Sequence, residues 1–422
     1  MARIAVIGTG YVGLTTGACF AHLGHEVVCA DIDVRKVERL RSGDVPIVEA
    51  GLPELVREGI AANRLTFVVG AEEAAKSCEF AFLCVPTPEG EDGQADLSYV
   101  ETAASQISVV LPRDAVVINK STVPVGSTRV VERVLRRPDV HVVSNPEFLR
   151  EGSAVHDFLH PDRIVVGSDD QEAANRVGRL YESVRAPVLV TDAASAEMIK
   201  YAANAFLATK LSFVNAIANI CEGVDADVRD VMQGIGYDRR IGHEFLKPGP
   251  GWGGSCFPKD TLALLKIAER ARYDFRLLQG VVDANHEQFE RTTAKVLSLL
   301  PTNGRVAAWG LTFKALTDDR RDSPSLEVIS RLLNRGVNVR AFDPTVDSTL
   351  RELPSLELGQ SELDVCEDAD VLVVLTEWES FRWVDPEEVG RQMRNRNVVD
   401  ARNLLDRAAW KSAGFKYVGV GR

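Results

Sequence analysis

Apolar residues gather in short dense runs along the first half of the chain, separated by mixed stretches of helical length. The runs are RIAVIG, HEVVCADID, RLTFVV, EFAFLCVPTP, DAVVINKST, VHVVSNPEF and RIVVGS. Near-continuous apolar runs that alternate with helical segments predict buried strands of a parallel sheet with helices on both faces. After about residue 300 the pattern returns more weakly: GRVAAWGL echoes RIAVIG, GVNVRAFDP echoes HEVVCADID, EDADVLVVLTEW echoes CEFAFLCVPTP, and NVVDARN closes the set. Between the halves, EMIKYAANAFLATKLSFVNAIANICEGV has no proline and no internal glycine, and predicts one helix of about thirty residues. The expected fold is α/β: two Rossmann-like doubly wound domains joined by a long central helix and a small helical domain. The expected divisions are 1–195, 196–297 and 298–422.

The first strand runs into Gly8, Gly10 and Gly13, in the spacing of a dinucleotide-binding turn. Gly8 permits the tight turn, Gly10 lets the backbone reach a pyrophosphate, and Gly13 allows close packing of helix on strand, with the phosphates at the helix N-terminus. Tyr11 and Val12 fill the variable positions. The second strand ends in Asp31, which accepts from a ribose 2′-hydroxyl and repels a 2′-phosphate, so NAD is expected rather than NADP. Lys36 follows on a predicted helix, facing either a phosphate or solvent. The equivalent turn of the second half reads GLTFKA, with Phe313 and Lys314 where a dinucleotide site needs small residues. That half is expected to share the architecture and bind a different ligand.

The segment GPGWGGSCFPKD carries the candidate chemistry. Glycines 249, 251, 253 and 254 are expected to clear space around Cys256, and Pro258 opens the predicted helix KDTLALLKIAERA. A cysteine at a helix N-terminus beside Lys259 is favoured as thiolate, the nucleophilic form. The plainer reading is a small buried hydrophobe. On the central helix, Lys200 and Asn204 stand four residues apart on one face amid Ile, Tyr, Ala and Phe. A lysine there is costly to bury without a purpose, although a snorkelling surface lysine has the same spacing. GYDRRIGHEFLKPGPGWGG reads as an ordered loop over a site.

Composition narrows the partners. A chain of 422 residues exceeds one core, and 45% hydrophobic with 26% charged residues suits a globular protein of two or three domains. No apolar run is long enough for a membrane span, and a strand that starts at Arg3 leaves no room for a leader, so the expected location is cytoplasmic, away from membranes. Seven cysteines without a CxxC pair speak against a disulfide framework or a structural zinc, and no metal is expected. A net charge of -12 speaks against nucleic acid, so an anionic ligand must be held by local cations. Candidates are Lys120, Arg150, Arg240, Lys247, Lys259, Lys314, Arg321 and Arg402.

A dinucleotide site together with a nucleophilic cysteine is a specific pairing. NAD-dependent alcohol oxidation needs a base but no thiol. Aldehyde oxidation uses one: the thiolate adds to form a thiohemiacetal, hydride loss gives a thioester, and water releases the acid. Asp260, Asn204 and Lys200 are suited to position the water and stabilise the oxyanion.

Taken together, GTGYVG, CVPTP, KSTVPVG, NPEFLREG, KYAANAF, RIG, GWGGSCFPKD, and FK with RRDSPS downstream resemble the UDP-glucose/GDP-mannose dehydrogenase family, in family order over essentially the whole chain. The resemblance implies two successive NAD-dependent oxidations at C6 of a nucleotide-sugar, giving the uronate with the intermediate bound throughout. It implies Cys256 as nucleophile, Lys200, Asn204 and Asp260 around the oxyanion and water, Thr122 as a water ligand, and Glu147 as general base or water partner. Thr87, Thr122, Glu151, Lys259 and Arg321 fall, with the glycine turn, Tyr11, Val12, Asp31 and Lys36, among the cofactor-facing positions. Glu147, Phe148, Leu149, Lys200, Asn204, Phe245, Lys247, Gly253, Lys314 and Arg402 fall where the family lines the nucleotide-sugar. Arg240 matches an arginine that reaches the sugar from the neighbouring subunit of a homodimer built on the central helix. FLKPGPG with GWGGSCFPKD points to the UDP-glucose branch, leaving TDP-glucose and GDP-mannose as alternative substrates. A two-electron dehydrogenase of the β-hydroxyacid type and a non-catalytic NAD sensor are the competing readings from other classes.

Overall fold

The computed structural model describes residues 1–88, 90 and 95–422. The chain forms two compact units: Met1–Ala203 with Leu262–Ala271, and Asn204–Thr261 with Arg272–Arg422.

The first unit is built on eight strands: β1 Arg3–Ile7, β2 Glu26–Asp31, β3 Leu65–Val69, β4 Phe80–Leu83, β5 Val116–Asn119, β6 His141–Ser144, β7 Ile164–Gly167 and β8 Val188–Thr191. Their order is β3-β2-β1-β4-β5-β6-β7-β8. The central strands FAFL, VVIN and IVVG are buried at every position, which is why they read as unbroken apolar runs rather than alternating ones. One face packs Phe20, Phe82, Phe158 and Tyr181 into a core, and the other packs small residues such as Ala74, Ala81 and Ala104 with Val117 and Leu135. The expectation of a parallel sheet holds from β3 to β6. It fails at β7, which pairs antiparallel to β6 and then parallel to β8, a strand not anticipated. The connection from Ser144 to Ile164 passes through the helix Ala154–Leu159.

The second unit carries six strands: β9 Arg305–Trp309, β10 Asn338–Phe342, β11 Glu357–Leu358, β12 Val371–Val374, β13 Asn397–Asp400 and β14 Lys416–Gly419, in the order β11-β10-β9-β12-β13-β14. All its pairs are parallel. Written by position, this is the 3-2-1-4-5-6 order of a dinucleotide-binding sheet, and β3 to β6 of the first unit show the same order. The echo in the sequence is therefore a repeat of topology. Trp309, Phe381 and Trp410 fill one face of the second sheet, and Val306, Ile329 and Val373 belong to the core of the other.

The predicted central helix is a single helix of 31 residues, Ala193–Gly223. The boundary between the compact units falls within it, after Ala203. A second helix, Phe257–Arg270, is shared in the same way, with Thr261 the last residue of the second unit.

Candidate active site

In the first unit the turn after β1 has the form its glycines imply. Gly8 has φ +96°, and a Cβ there would lie 2.6 Å from the Cys84 carbonyl oxygen. A Cβ on Gly13 would lie 2.0 Å from the Gly8 carbonyl oxygen, so only glycine lets the helix approach the turn. At Gly10 the space is open. Gly10 is the N-cap of the helix Tyr11–His22 and supplies no side chain to its first amides, which suits them to a pyrophosphate. The residues thus fit NAD. The Tyr11 hydroxyl donates to Glu49 and accepts from the Gly152 amide at 2.7 Å, tying the turn to the NPEFLREG segment next to Glu151. Val12 packs against the core.

Asp31, at the end of β2, accepts from the Thr9 amide and hydroxyl at 3.1 and 2.5 Å and from the Lys36 ammonium at 3.1 Å, all on Oδ2. Its Oδ1 accepts from the Asp33 amide. Partial burial pushes the carboxyl up, but the Thr9 and Asp33 hydrogen bonds and the Lys36 charge outweigh it and hold Asp31 at about 2. Lys36 therefore points at the acidic residue rather than away into solvent.

A second polar cluster sits at the ends of β5 and β6. Lys200 donates to Glu147 Oε1 at 2.8 Å, and both side chains are about 95% buried (4% and 5% exposed). Glu147 Oε2 accepts from the Leu149 amide at 2.7 Å. Burial opposes ionisation of Glu147, yet Lys200, the Leu149 amide and Lys120 together lower it below the ordinary carboxylate range. The purposeful reading of Lys200 holds over the snorkelling one. Phe148 lies under the Arg163 guanidinium, 3.7 Å from its ring centre, and 5.6 Å from Lys200 Nζ. Leu149 packs against the core. Thr87 donates to the Thr122 carbonyl at 2.9 Å, fixing the buried Thr122 in the KSTVPVG segment. Glu197, near the start of the central helix and 2% exposed, accepts from the Gly126 and Thr128 amides and the Thr128 hydroxyl, anchoring the same segment. Sequence reasoning did not find Glu197, because its partners lie some seventy residues away.

In the second unit Cys256 is the one cysteine of seven that is not buried. Its carbonyl accepts from the Asp260 amide at 3.0 Å, which makes it the N-cap of the helix Phe257–Arg270. The expected placement at a helix N-terminus holds, and the buried-hydrophobe reading does not. Asp260, 1% exposed, accepts from Asn204 Nδ2 at 2.5 Å and from the Lys259 ammonium at 2.6 Å. Three of the candidate residues are thereby joined. The ammonium expected to favour the thiolate is paired with this carboxylate.

The glycines of the segment do not clear space around the thiol. A Cβ on Gly253 would fall 1.9 Å from the Asp322 carbonyl oxygen, on Gly254 (φ +85°) 2.7 Å from the Phe313 ring, and on Gly251 (φ +134°) 2.3 Å from the Phe289 ring. They form a seam against the 310–323 loop and the helix Arg276–Leu299. The Trp252 amide and carbonyl both bond the Asn285 side chain, and the Gly249 amide bonds Asn215.

Among the other candidates, Arg402 donates to the Leu375 and Phe313 carbonyls at 2.7 and 3.1 Å and lies 3.1 Å from Glu377. Lys314 Nζ lies 5.2 Å from the Phe313 ring centre, and Lys247 is exposed. Phe245 has φ +60°, a left-handed conformation that costs a bulky residue about 1–3 kcal/mol and tends to occur where function demands it. Arg240 and Arg321 are largely exposed, each forked onto a carboxylate two residues away, Asp238 and Asp319. Arg150 is paired with Asp157.

Comparison with known proteins agrees over the full length. Residues 2–185 match the UDP-glucose/GDP-mannose dehydrogenase family NAD binding domain, residues 194–287 its central domain, and residues 307–407 its UDP binding domain. A UDP-glucose 6-dehydrogenase of Bacillus subtilis is 43% identical, covering 100% of this chain and 94% of that protein. A UDP-glucose dehydrogenase structure from Pyrobaculum islandicum superposes with a TM-score of 0.90 at 36% identity, covering 100% of this chain and 98% of its own. A UDP-D-ManNAc dehydrogenase from Pyrococcus horikoshii reaches 0.89 at 30% identity, covering 100% and 99%. Two substrates served by nearly equal backbones put specificity in side chains.

Proposed function

This chain belongs to the UDP-glucose/GDP-mannose dehydrogenase family, and from that premise we propose that it oxidises UDP-glucose at C6 to UDP-glucuronate with two NAD, as a UDP-glucose 6-dehydrogenase. Cys256 carries the reading. It is the accessible thiol at a helix N-terminus, in a chain that also has an NAD turn. A two-electron dehydrogenase has no use for such a thiol, and an NAD sensor has no use for the polar groups around it.

NAD, when bound, takes up the two hydrides. Gly8, Gly10, Tyr11, Val12 and Gly13 hold its pyrophosphate and Asp31 its ribose, with Lys36, Thr87, Thr122, Glu151, Lys259 and Arg321 as further cofactor contacts. The chain's own side chains do the rest. Cys256 adds to the C6 aldehyde, and Lys200 and Asn204 donate to the oxyanion. Asn204 is aimed by Asp260, to which it gives one of its two amide hydrogens. Lys200 is held by Glu147, which remains a carboxylate. Thr122, Asp260 and Glu147 hold and deprotonate the water that hydrolyses the thioester. Phe148, Leu149, Phe245, Lys247, Gly253, Lys314 and Arg402 line the nucleotide-sugar.

The segments 1–195, 196–297 and 298–422 act as NAD-binding, dimerising and UDP-binding parts of a cytoplasmic homodimer, with Arg240 reaching the partner's site. Phe206, Phe213 and Ile220 support the dimer: they lie seven residues apart on the central helix and are 65%, 55% and 59% exposed. Among the described residues no helix is long and apolar enough to cross a membrane.

The test is NADH formed per sugar with limiting UDP-glucose, TDP-glucose and GDP-mannose in parallel. Two NADH per UDP-glucose, with little from the others, is the expected result. One NADH per sugar transfers the chain to two-electron chemistry.

A further inference from the structure

A cavity of about 150 Å³ lies within the first unit behind Glu147. Lys120, Asn145, Glu147 and Tyr181 line it and are buried, while His156, His160 and Asp162 line it and are exposed. It thus runs from a buried polar floor to a titratable rim. Lys120 Nζ donates to Asn145 Oδ1 at 3.1 Å and to the Tyr181 hydroxyl at 3.4 Å, and that hydroxyl donates to the same Asn145 oxygen at 2.6 Å. Asn145 is fixed in turn by donating to the Val165 carbonyl at 2.7 Å. The titratable groups facing Lys120 are Glu147, Cys84, Lys200 and Tyr181. Burial pushes the ammonium down to about 8, with Glu147 and Cys84 partly opposing and Lys200 assisting. Nothing in the chemistry described above uses this lysine.

The proton balance of the reaction gives it a task. Oxidation of the alcohol breaks the C6–H and O–H bonds, sends hydride to NAD and releases one proton. Thiolate addition and the second hydride transfer release none. Water then adds to the thioester carbonyl, the C–S bond breaks, the thiolate returns to Cys256, and the acid ionises with release of two protons. Three protons leave for each water consumed. Glu147 is a poor place to keep them, since Lys200, the Leu149 amide and Lys120 all favour its ionised form. At about 30 Å³ per molecule the cavity holds on the order of five waters. That is enough to join the buried amine to the exposed imidazoles of His156 and His160 at the rim.

We propose that Lys120, Tyr181 and this cavity are the proton exit of the site, carrying protons from Glu147 to the His156 and His160 rim during thioester hydrolysis. Lys120 is on this account a positioning and relay residue acting through Glu147. The inference rests on the thioester chemistry proposed above.

The experiment is rapid-mixing of the full-length enzyme, NAD and UDP-glucose, comparing wild type with Lys120→Met and Tyr181→Phe. The expected result is an unchanged burst of two NADH per site, a steady-state rate at least about tenfold lower, and an acyl adduct on Cys256 seen by intact mass. Added imidazole restores the lost rate in the variants and leaves wild type unaffected. Loss of burst and steady state together, or a lowered rate that imidazole does not restore, makes the cluster structural only and overturns the proposal, as does a wild-type rate. Tyr181→Phe removes one hydroxyl and carries the same readout if Lys120→Met does not fold. Absence of a two-NADH burst in wild type would sink the thioester reading itself, a distinct outcome.

Discussion

The turns that follow β1 and β9 begin alike. Gly8 and Gly310 have φ +96° and +100°, and each donates its amide to the adjacent strand at 2.8 Å, to Ala30 and Phe342 respectively. Each turn presents a threonine hydroxyl, Thr9 or Thr312, to an aspartate at the end of the next strand, Asp31 or Asp343. From there they diverge. The first turn enters a helix at Tyr11, whereas the second runs through the 310–323 loop before the helix Pro324–Leu333 begins. Asp343 is 1% exposed: Oδ2 takes the Leu311 and Thr312 amides, the Thr312 hydroxyl and the Trp378 indole, and Oδ1 takes the Thr345 amide and hydroxyl. A carboxylate offers about four lone-pair positions, so none is left for a ribose. Asp31 keeps Oδ1 with a single amide partner. One strand order thus yields a dinucleotide site where the helix follows at once and the acid is half-open, and a structural corner where neither holds.

The sharpest separation comes from Cys256→Ser. Steady-state turnover should fall by about a thousandfold or more, while NAD affinity, which belongs to the first turn, stays as in wild type. Turnover near wild type would remove the thioester from the account.

Alanine at the paired glycines sharpens the contrast. Gly13→Ala forces a Cβ against the Gly8 carbonyl and should weaken NAD binding by about tenfold to a hundredfold, the cost of overpacking by 1–3 kcal/mol. Gly310→Ala places a Cβ 2.3 Å from Thr376 Cβ at a left-handed position. It should lower the melting temperature by several degrees with the NAD Kd unchanged. If Gly310→Ala weakens NAD binding as much as Gly13→Ala does, the assignment of the two turns fails.

The aspartates should part in the same way. Asp31→Asn is expected to cost roughly tenfold in NAD affinity and narrow the preference over NADP. Asp343→Asn turns an amide toward a ring of donors and should cost about 2–3 kcal/mol of stability in a denaturant melt, with cofactor preference kept. The smallest effect is that of pH. The folded Asp31 is held at about 2, below its ordinary 3.8. Its contribution to stability is therefore complete above about pH 4 and is lost as the pH falls toward 2. Acid melts of wild type and Asp31→Asn should converge in that window and run parallel above it.

What the sequence revealed was what is decided locally. Buried strands announce themselves as apolar runs, the glycine turn by spacing and the 31-residue helix by its lack of breakers. The direction of β7 was hidden because a buried apolar run reads the same whichever way its strand points. β14 was hidden because KYVG is only a brief apolar patch. In the site, the N-cap position of Cys256 was legible from Pro258. The work of Gly251, Gly253 and Gly254 was not, since the atoms filling their space belong to Phe289, Asp322 and Phe313, remote in sequence. Lys120 stood among eight candidate cations; its burial beside Tyr181, sixty-one residues away, singles it out.

The most direct test of the four-electron claim follows UDP-glucose carrying two deuteriums at C6 through complete turnover in ¹⁸O-water. The account predicts two deuterated NADH per sugar and one ¹⁸O in each uronate carboxylate. One deuterated NADH, with deuterium retained on an aldehyde and no ¹⁸O-labelled acid, would contradict it.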